Sequence, residues 1–230
     1  MGRYGEEVTR AMKYLADDER TVFLGQWFGV NKETLVEVPE DRKIEMPVAE
    51  NMQMGISIGM ALAGFIPVSC FIRWNFLLLA ADQLVNHLDK LSEMSDGGYR
   101  PKLIIRTSVG AKKPVDSRCQ HTSDFTEGFR AMLTNVEVIT LVEPEEVFLA
   151  YRKALHREDG KSTLLVEYGS SYNEDFKNEL TAKEIDAGVR WMPGYPRGFH
   201  RVSYPKIEDC HAPSEKVVQM LEAARQALKE

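Results

Sequence analysis

Short, wholly apolar runs recur along the first 168 residues, each separated from the next by a longer amphipathic stretch. Leu103-Ile104-Ile105, Val138-Ile139 and Leu164-Leu165-Val166 show no polar alternation. A strand that is apolar on both sides has both faces covered, and that is the habit of parallel sheets. The intervening stretches repeat with helical period. Val8, Ala11, Met12 and Leu15 form one stripe, and Leu77, Ala81, Leu84, Val85, Leu88 and Leu91 another. The pattern predicts helices over Tyr4 to Ala16, Glu50 to Ala63, Phe76 to Leu91, Asp124 to Leu133 and Pro144 to about Leu155. It predicts strands over Thr21 to Gly25, Ile66 to Ile72, Lys102 to Thr107, Val136 to Leu141 and Ser162 to Tyr168. Residues 26–46 read as a loop-rich connection, and Ser108 to Gln120 as a polar loop. Such alternation implies an α/β fold: a mostly parallel sheet with right-handed crossovers and helices on both faces.

From Ser170 the pattern is lost. Residues 171–212 mix proline, glycine and aromatics without period, and Pro213 to Glu230 reads as a terminal amphipathic helix. We therefore divide the chain into a domain over 1–170 and a C-terminal extension over 171–230. A chain of 230 residues can bury about 70% of its unfolded surface, enough for one sizeable core. Its longest apolar runs fall well short of the ~20 residues needed to cross a bilayer. The formal charge of −6 lacks the basic face that a nucleic-acid binder needs. Three scattered cysteines (Cys70, Cys119, Cys210) make no disulfide framework, and a reducing, cytoplasmic location is expected.

The densest signal lies in residues 47–64. Gly55, Gly59 and Ala63 fall at i, i+4 and i+8 on one face of the predicted helix. Interior glycine costs about 1 kcal/mol relative to alanine, so the stripe predicts close approach of another backbone, another helix above all; tight packing on the sheet is the plainer alternative. Glu50 opens that helix, where the helix dipole alone would favour an acid.

Glu50-x4-Gly55-Ile56-x-x-Gly59-Met60 resembles the Glu-x4-Gly-φ-x-x-Gly-φ pattern of thiamin-diphosphate enzymes. The surroundings are similar to the β subunit of the decarboxylating component of 2-oxoacid dehydrogenases. The matching segments are the Pro47-x-x-Glu50 lead-in, Ala63-Gly64-Phe65-Ile66-Pro67, Asn75-Phe76 before Asp82-Gln83, Met94-Ser95-Asp96-Gly97-Gly98, and Gln120-His121-Thr122. They follow one another in order across about residues 5–168, which is more specific than any single motif. Transketolases look like the more distant relative, because their histidine segment reads differently.

The resemblance implies a pyrimidine-binding module. Glu50 matches the glutamate that hydrogen-bonds N1′ of the cofactor's aminopyrimidine, a role that needs a carboxyl shielded from water and able to donate. Phe76 matches the aromatic packed on that ring, and Ile72 a neighbouring wall residue; ordinary core packing is the alternative for both. His121 matches a substrate-facing histidine suited to proton transfer near neutrality. The other four histidines (His87, His156, His200, His211) have no such context. Neither Cys119-Gln120-His121 nor Cys210-His211 has the spacing of a closed metal site.

The sequence also departs from the pattern. Gly25 is followed by Gln26-Trp27 where the family usually has acids, which puts an acid network between paired sites in doubt. The loop Lys112 to Arg118 is more basic than the family's. Family β subunits continue into another α/β domain that residues 171–230 do not resemble. No Gly-Asp-Gly…Asn diphosphate signature occurs. The resemblance therefore implies that thiamin diphosphate binds between this chain and a separate diphosphate-binding subunit that holds most of the Mg²⁺ contacts, in an α2β2-type hetero-oligomer. The implied chemistry is C–C cleavage with acyl or ketol transfer from a 2-oxo acid or ketose. The alternatives are a transketolase-type ketol-transfer subunit and a non-catalytic relative. A Rossmann nucleotide binder loses its main support, because no Gly-x-Gly-x-x-Gly follows the first strand.

Overall fold

A computed structural model of the chain describes residues 3–26, 28, 34–111, 118–173 and 219. The expected extension over 171–230 lies outside the described residues from 174 onward, residue 219 apart. Most of the Lys112 to Arg118 loop also lies outside them.

Six strands form one sheet: β1 (Thr21–Gly25), β2 (Lys43–Glu45), β3 (Ile66–Cys70), β4 (Ile104–Val109), β5 (Val136–Leu141) and β6 (Ser162–Tyr168). Their order is β2-β1-β3-β4-β6-β5, and every adjacent pair is parallel. The helices are α1 (Arg3–Ala16), α2 (Glu50–Leu62), α3 (Trp74–Leu77), α4 (Leu91–Met94), α5 (Thr126–Met132) and α6 (Pro144–His156). Successive strand residues point to opposite faces, and both faces are buried. Phe23, Val68, Ile104 and Leu165 pack under α1 and α6 with Val8, Met12, Val147 and Tyr151. On the other face Ile105, Leu164 and Val166 pack with Met54, Leu84 and Phe129, while Val22 and Leu24 meet Met60 and Phe65. The expected α/β class and its parallel sheet are what the chain adopts. No helix among the described residues is long and apolar enough to cross a membrane.

Three expectations are corrected. The connection 26–46 contains β2, whose Lys43, Ile44 and Glu45 pair with Phe23, Leu24 and Gly25. Three residues with two charges carry no apolar run, and a charged, half-buried strand suits a sheet edge. Strand β3 ends at Cys70 rather than Ile72; Phe71 N still donates to Arg106 O at 2.8 Å before the chain turns into α3. The helix expected over Phe76 to Leu91 is a chain of short turns: α3, a 3₁₀ turn at Leu78–Ala80, a π turn at Gln83–Leu88, then α4. Its apolar stripe survives in part: Leu77, Leu84 and Leu88 are buried, and Ala81, Val85 and Leu91 are partly buried. The wide π turn brings Asp89 inward beside Leu88. There its carboxylate accepts the backbone N–H groups of Thr134, Asn135 and Val136 at the start of β5.

Between the sheet and the α1–α6 layer lies a buried ion pair. Arg106 of β4 donates twice to Glu167 of β6, at 2.8 and 3.0 Å. Tyr151 of α6 and Tyr172 also donate to Glu167. Burial, reinforced by the Glu167 charge, pushes both phenols upward, so they remain donors. Removing one partner of a buried pair strands the other charge, at a cost of about 3–5 kcal/mol. Arg106→Leu is therefore expected to lower unfolding stability by about that amount in urea titration. A change within the few tenths typical of surface substitutions would contradict this.

Candidate active site

In an open parallel sheet, ligands bind beyond the carboxyl ends of the strands where the order reverses. Here the chain leaves β1 outward to β2 and returns to β3 on the other side, so the reversal lies between β1 and β3. A small, partly open void sits at that point. Its wall takes Gln26 from the end of β1, Cys70, Phe71 and Ile72 from the end of β3, Glu50 and Gln53 from α2, and Phe76 from α3.

Helix α2 places the two polar groups. Ala49 precedes it without a side-chain cap, and Glu50 is its first residue. Glu50 is only 4% exposed, and among the described residues no side chain pairs with its carboxyl. Gln53, one turn on and fully buried, donates from Nε2 to Ser69 Oγ and Cys70 O, each at 3.1 Å, and to Leu24 O at 3.3 Å. The helix start is thereby pinned to the ends of β1 and β3. Gln53 Oε1 is buried without a partner. Burial pushes the Cys70 thiol up to about 11, with Glu167 adding to the rise and Arg106 opposing it. Cys70 is therefore a packing group rather than a nucleophile.

Helix α3 carries the other side. Trp74 is fully buried against Phe129, with ring centroids 4.9 Å apart, and anchors the segment. Ser108 Oγ donates to Ile72 O at 2.7 Å and ties β4 to it. This leaves Ile72, Arg73 and Phe76 half-buried near the void. The Phe76 ring lies 5.3 Å from that of His121. A Cβ on Gly110 would stand 1.9 Å from His121 O and 2.1 Å from Arg73 Nη1, so three segments meet where only glycine fits. Burial, and next the Arg73 charge, hold the His121 imidazole below its ordinary value of 6.5.

Glu50, Ile72 and Phe76 thus line one void, and His121 joins them through its contact with Phe76. Gln53, Arg73 and Gly110 were not singled out from sequence, although Gln53 follows Glu50 by three residues and so shares its helix face. Among the described residues the glycine stripe meets no second backbone. A Cβ on Gly55 would reach only the Gln83 side chain, and one on Gly59 would meet nothing. Of the other histidines, His156 is held by Tyr14 Oη at 2.7 Å and His87 faces Asp82 at 3.6 Å; His200 and His211 lie outside the described residues.

Residues 5–174 match the family described as transketolase, pyrimidine binding domain. The chain belongs to that family. Among curated relatives, the mitochondrial pyruvate dehydrogenase E1 component subunit beta of Drosophila melanogaster is 28% identical over 152 residues, covering 63% of this chain and 41% of the relative. Its Saccharomyces cerevisiae counterpart is 27% identical over 180 residues, covering 75% and 48%. The 3-methyl-2-oxobutanoate dehydrogenase subunit beta of Mycobacterium tuberculosis is 28% identical, covering 61% and 42%. This chain spans less than half the length of these relatives. Among solved structures, a split-gene transketolase described as an inactive β4 tetramer superposes with a TM-score of 0.58 at 16% identity, covering 72% of this chain and 50% of that one. The transketolase of Campylobacter jejuni gives 0.56 at 16%, covering 70% and 25%. These likenesses establish the fold of this pyrimidine-binding domain.

Two outcomes are expected. Because His121 is held down in the folded state, it favours folding above pH 6.5, and that contribution is lost as pH falls through the depressed value. Arg73→Gln should raise the His121 titration midpoint, read from its imidazole NMR signals; an unmoved midpoint would show that Arg73 does not act on it. Gly110→Ala should lower thermal stability by about 1–3 kcal/mol through overpacking. An unchanged melting temperature would mean that the contact relaxes freely.

Proposed function

We propose that the chain is the pyrimidine-module subunit of a split thiamin-diphosphate enzyme acting on a 2-oxo acid or ketose, by C–C cleavage and acyl or ketol transfer. The observation that carries the reading is the buried carboxyl of Glu50, unpaired among the described residues, in a void at the β1–β3 reversal. The residues present fit a flat, polar-edged ring. Glu50 and the orphaned Gln53 Oε1 offer polar contacts, while Phe76, Ile72 and Phe71 offer apolar walls.

On this reading Glu50, Ile72 and Phe76 hold the aminopyrimidine. Bound thiamin diphosphate would supply the electron sink for cleavage beside a carbonyl. Glu50 would be the hydrogen-bonding partner of the pyrimidine N1′, and its burial keeps water from competing for that contact. Phe76 and Ile72 exclude water and fix the ring plane. His121 is kept mostly neutral at physiological pH, so it can accept or return a proton on the substrate side.

The diphosphate and most Mg²⁺ contacts fall to a separate subunit in an α2β2-type hetero-oligomer. The outward side of α2, with exposed Met52, Ile56 and Gly59, offers that assembly an apolar surface. We read residues 1–170 as the module and 171–230 as an extension, in a reducing compartment such as the cytoplasm.

The test is co-purification with a companion chain bearing Gly-Asp-Gly…Asn, followed by calorimetry with thiamin diphosphate and Mg²⁺. Binding is expected. Glu50→Gln should keep the fold and lose turnover by about 10²-fold or more. No binding by the assembled pair, or full activity in the variant, would overturn the reading.

A further inference from the structure

We propose that Arg73 and His121 together form a subsite for an anionic oxygen group, a carboxylate or a phosphate, on the substrate. Arg73 is half-buried, and among the described residues its guanidinium makes no ion pair or hydrogen bond, although its Nη1 lies near the His121 carbonyl. Several other arginines have an acid or backbone acceptor, as half-buried Arg42 has the carbonyls of Glu19 and Thr21. Arg106 is matched by Glu167, Arg157 by Asp159 and Glu137, and Arg20 by Asp18. A partly desolvated cation without a counter-ion is costly unless something arrives to pair with it.

Beside it lies a second orphan. His121 Nδ1 is buried without a partner. Gly110 places Arg73 beside the His121 backbone, because a single added Cβ there would strike both Arg73 Nη1 and the His121 carbonyl, and the Arg73 charge reaches the imidazole. Phe76 joins this pair to the void, since its ring touches His121 and also lines the cavity. A guanidinium fork matches the two oxygens of a carboxylate or phosphate, and a neutral imidazole adds one donor in the appropriate tautomer. One anion would satisfy both groups at the place where a substrate would approach the ring site.

This inference rests on the reading of the crevice as the active site. Its test needs neither thiamin diphosphate nor a companion chain, so the two can fail separately. The full chain, labelled at histidine, is titrated with pyruvate, with inorganic phosphate and with uncharged acetone, at ionic strength held constant with chloride. The His121 signals are expected to shift saturably with pyruvate or phosphate and not with acetone. A response to pyruvate alone assigns a carboxylate subsite, and a response to phosphate alone a phosphate subsite. Arg73→Gln should weaken that binding about tenfold or more, and Arg73→Lys less. The lysine variant keeps the charge and serves should the glutamine variant fail to fold. The proposal is overturned if neither anion moves His121, if chloride or acetone moves it equally, or if the folded variants bind as well as the parent.

Discussion

The ion pair between Arg106 and Glu167 links the sheet to the helical layer. It joins neighbouring strands β4 and β6, and its remaining valences are taken by tyrosines from α6 and from the segment after β6. Tyr172 in turn meets Tyr4 of α1 edge-on, with ring centroids 5.4 Å apart. The pair also acts on Cys70, whose side chain helps form the wall of the void. A charge pair in the core is weak evidence for stability in itself, since desolvation offsets much of the attraction. Its value here is positional. Sheet, helical layer and cavity wall share one set of hydrogen bonds whose geometry leaves little freedom.

The site is built in the opposite way, from groups left unsatisfied. Gln53 Oε1, Asn75 Oδ1, Thr107 Oγ1 and His121 Nδ1 are all buried without partners. Their residues lie on α2, α3, the middle of β4 and the loop before α5. Buried polar atoms are nearly always paired in folded proteins, so each orphan, Trp74 Nε1 among them, asks for a reason, and Gln53 Oε1 belongs to a residue that lines the void. Rigid elements hold them: α2 through Gln53, and α3 through the buried Trp74. A cavity held this way is organised before any ligand arrives, and the ordering cost is borne by folding.

How much of this was legible in the sequence depended on whether the deciding force was local. Apolar runs buried on both faces announced the parallel sheet, and α2 was marked by its own glycines and leading acid. Glu50, Ile72 and Phe76 were singled out through the family resemblance, and all three line the void. Strand β2 left no trace, because its pairing is decided by β1 rather than by its own residues. The turns after α3 broke a helical stripe that looked continuous, because Asp89 is drawn inward by backbone donors 45 to 47 positions away. Arg73 gave no signal, since an arginine is remarkable only once its surroundings are seen to lack an acid.

The first helix completes its packing against some of the last elements of the domain. Tyr4 donates to the carbonyl of Leu141, 137 positions later, and α1 rests against α6. During synthesis the apolar stripe of α1 can meet Phe23 and the segment after β1 early, but the part that rests on α6 stays open until most of the sheet has left the ribosome. Long-range closure of this kind slows folding and leaves greasy surface open to chaperones or to misassembly in the interval. Shortening the chain ahead of α6 would strip the beginning of the protein of its cover as surely as it removes the end.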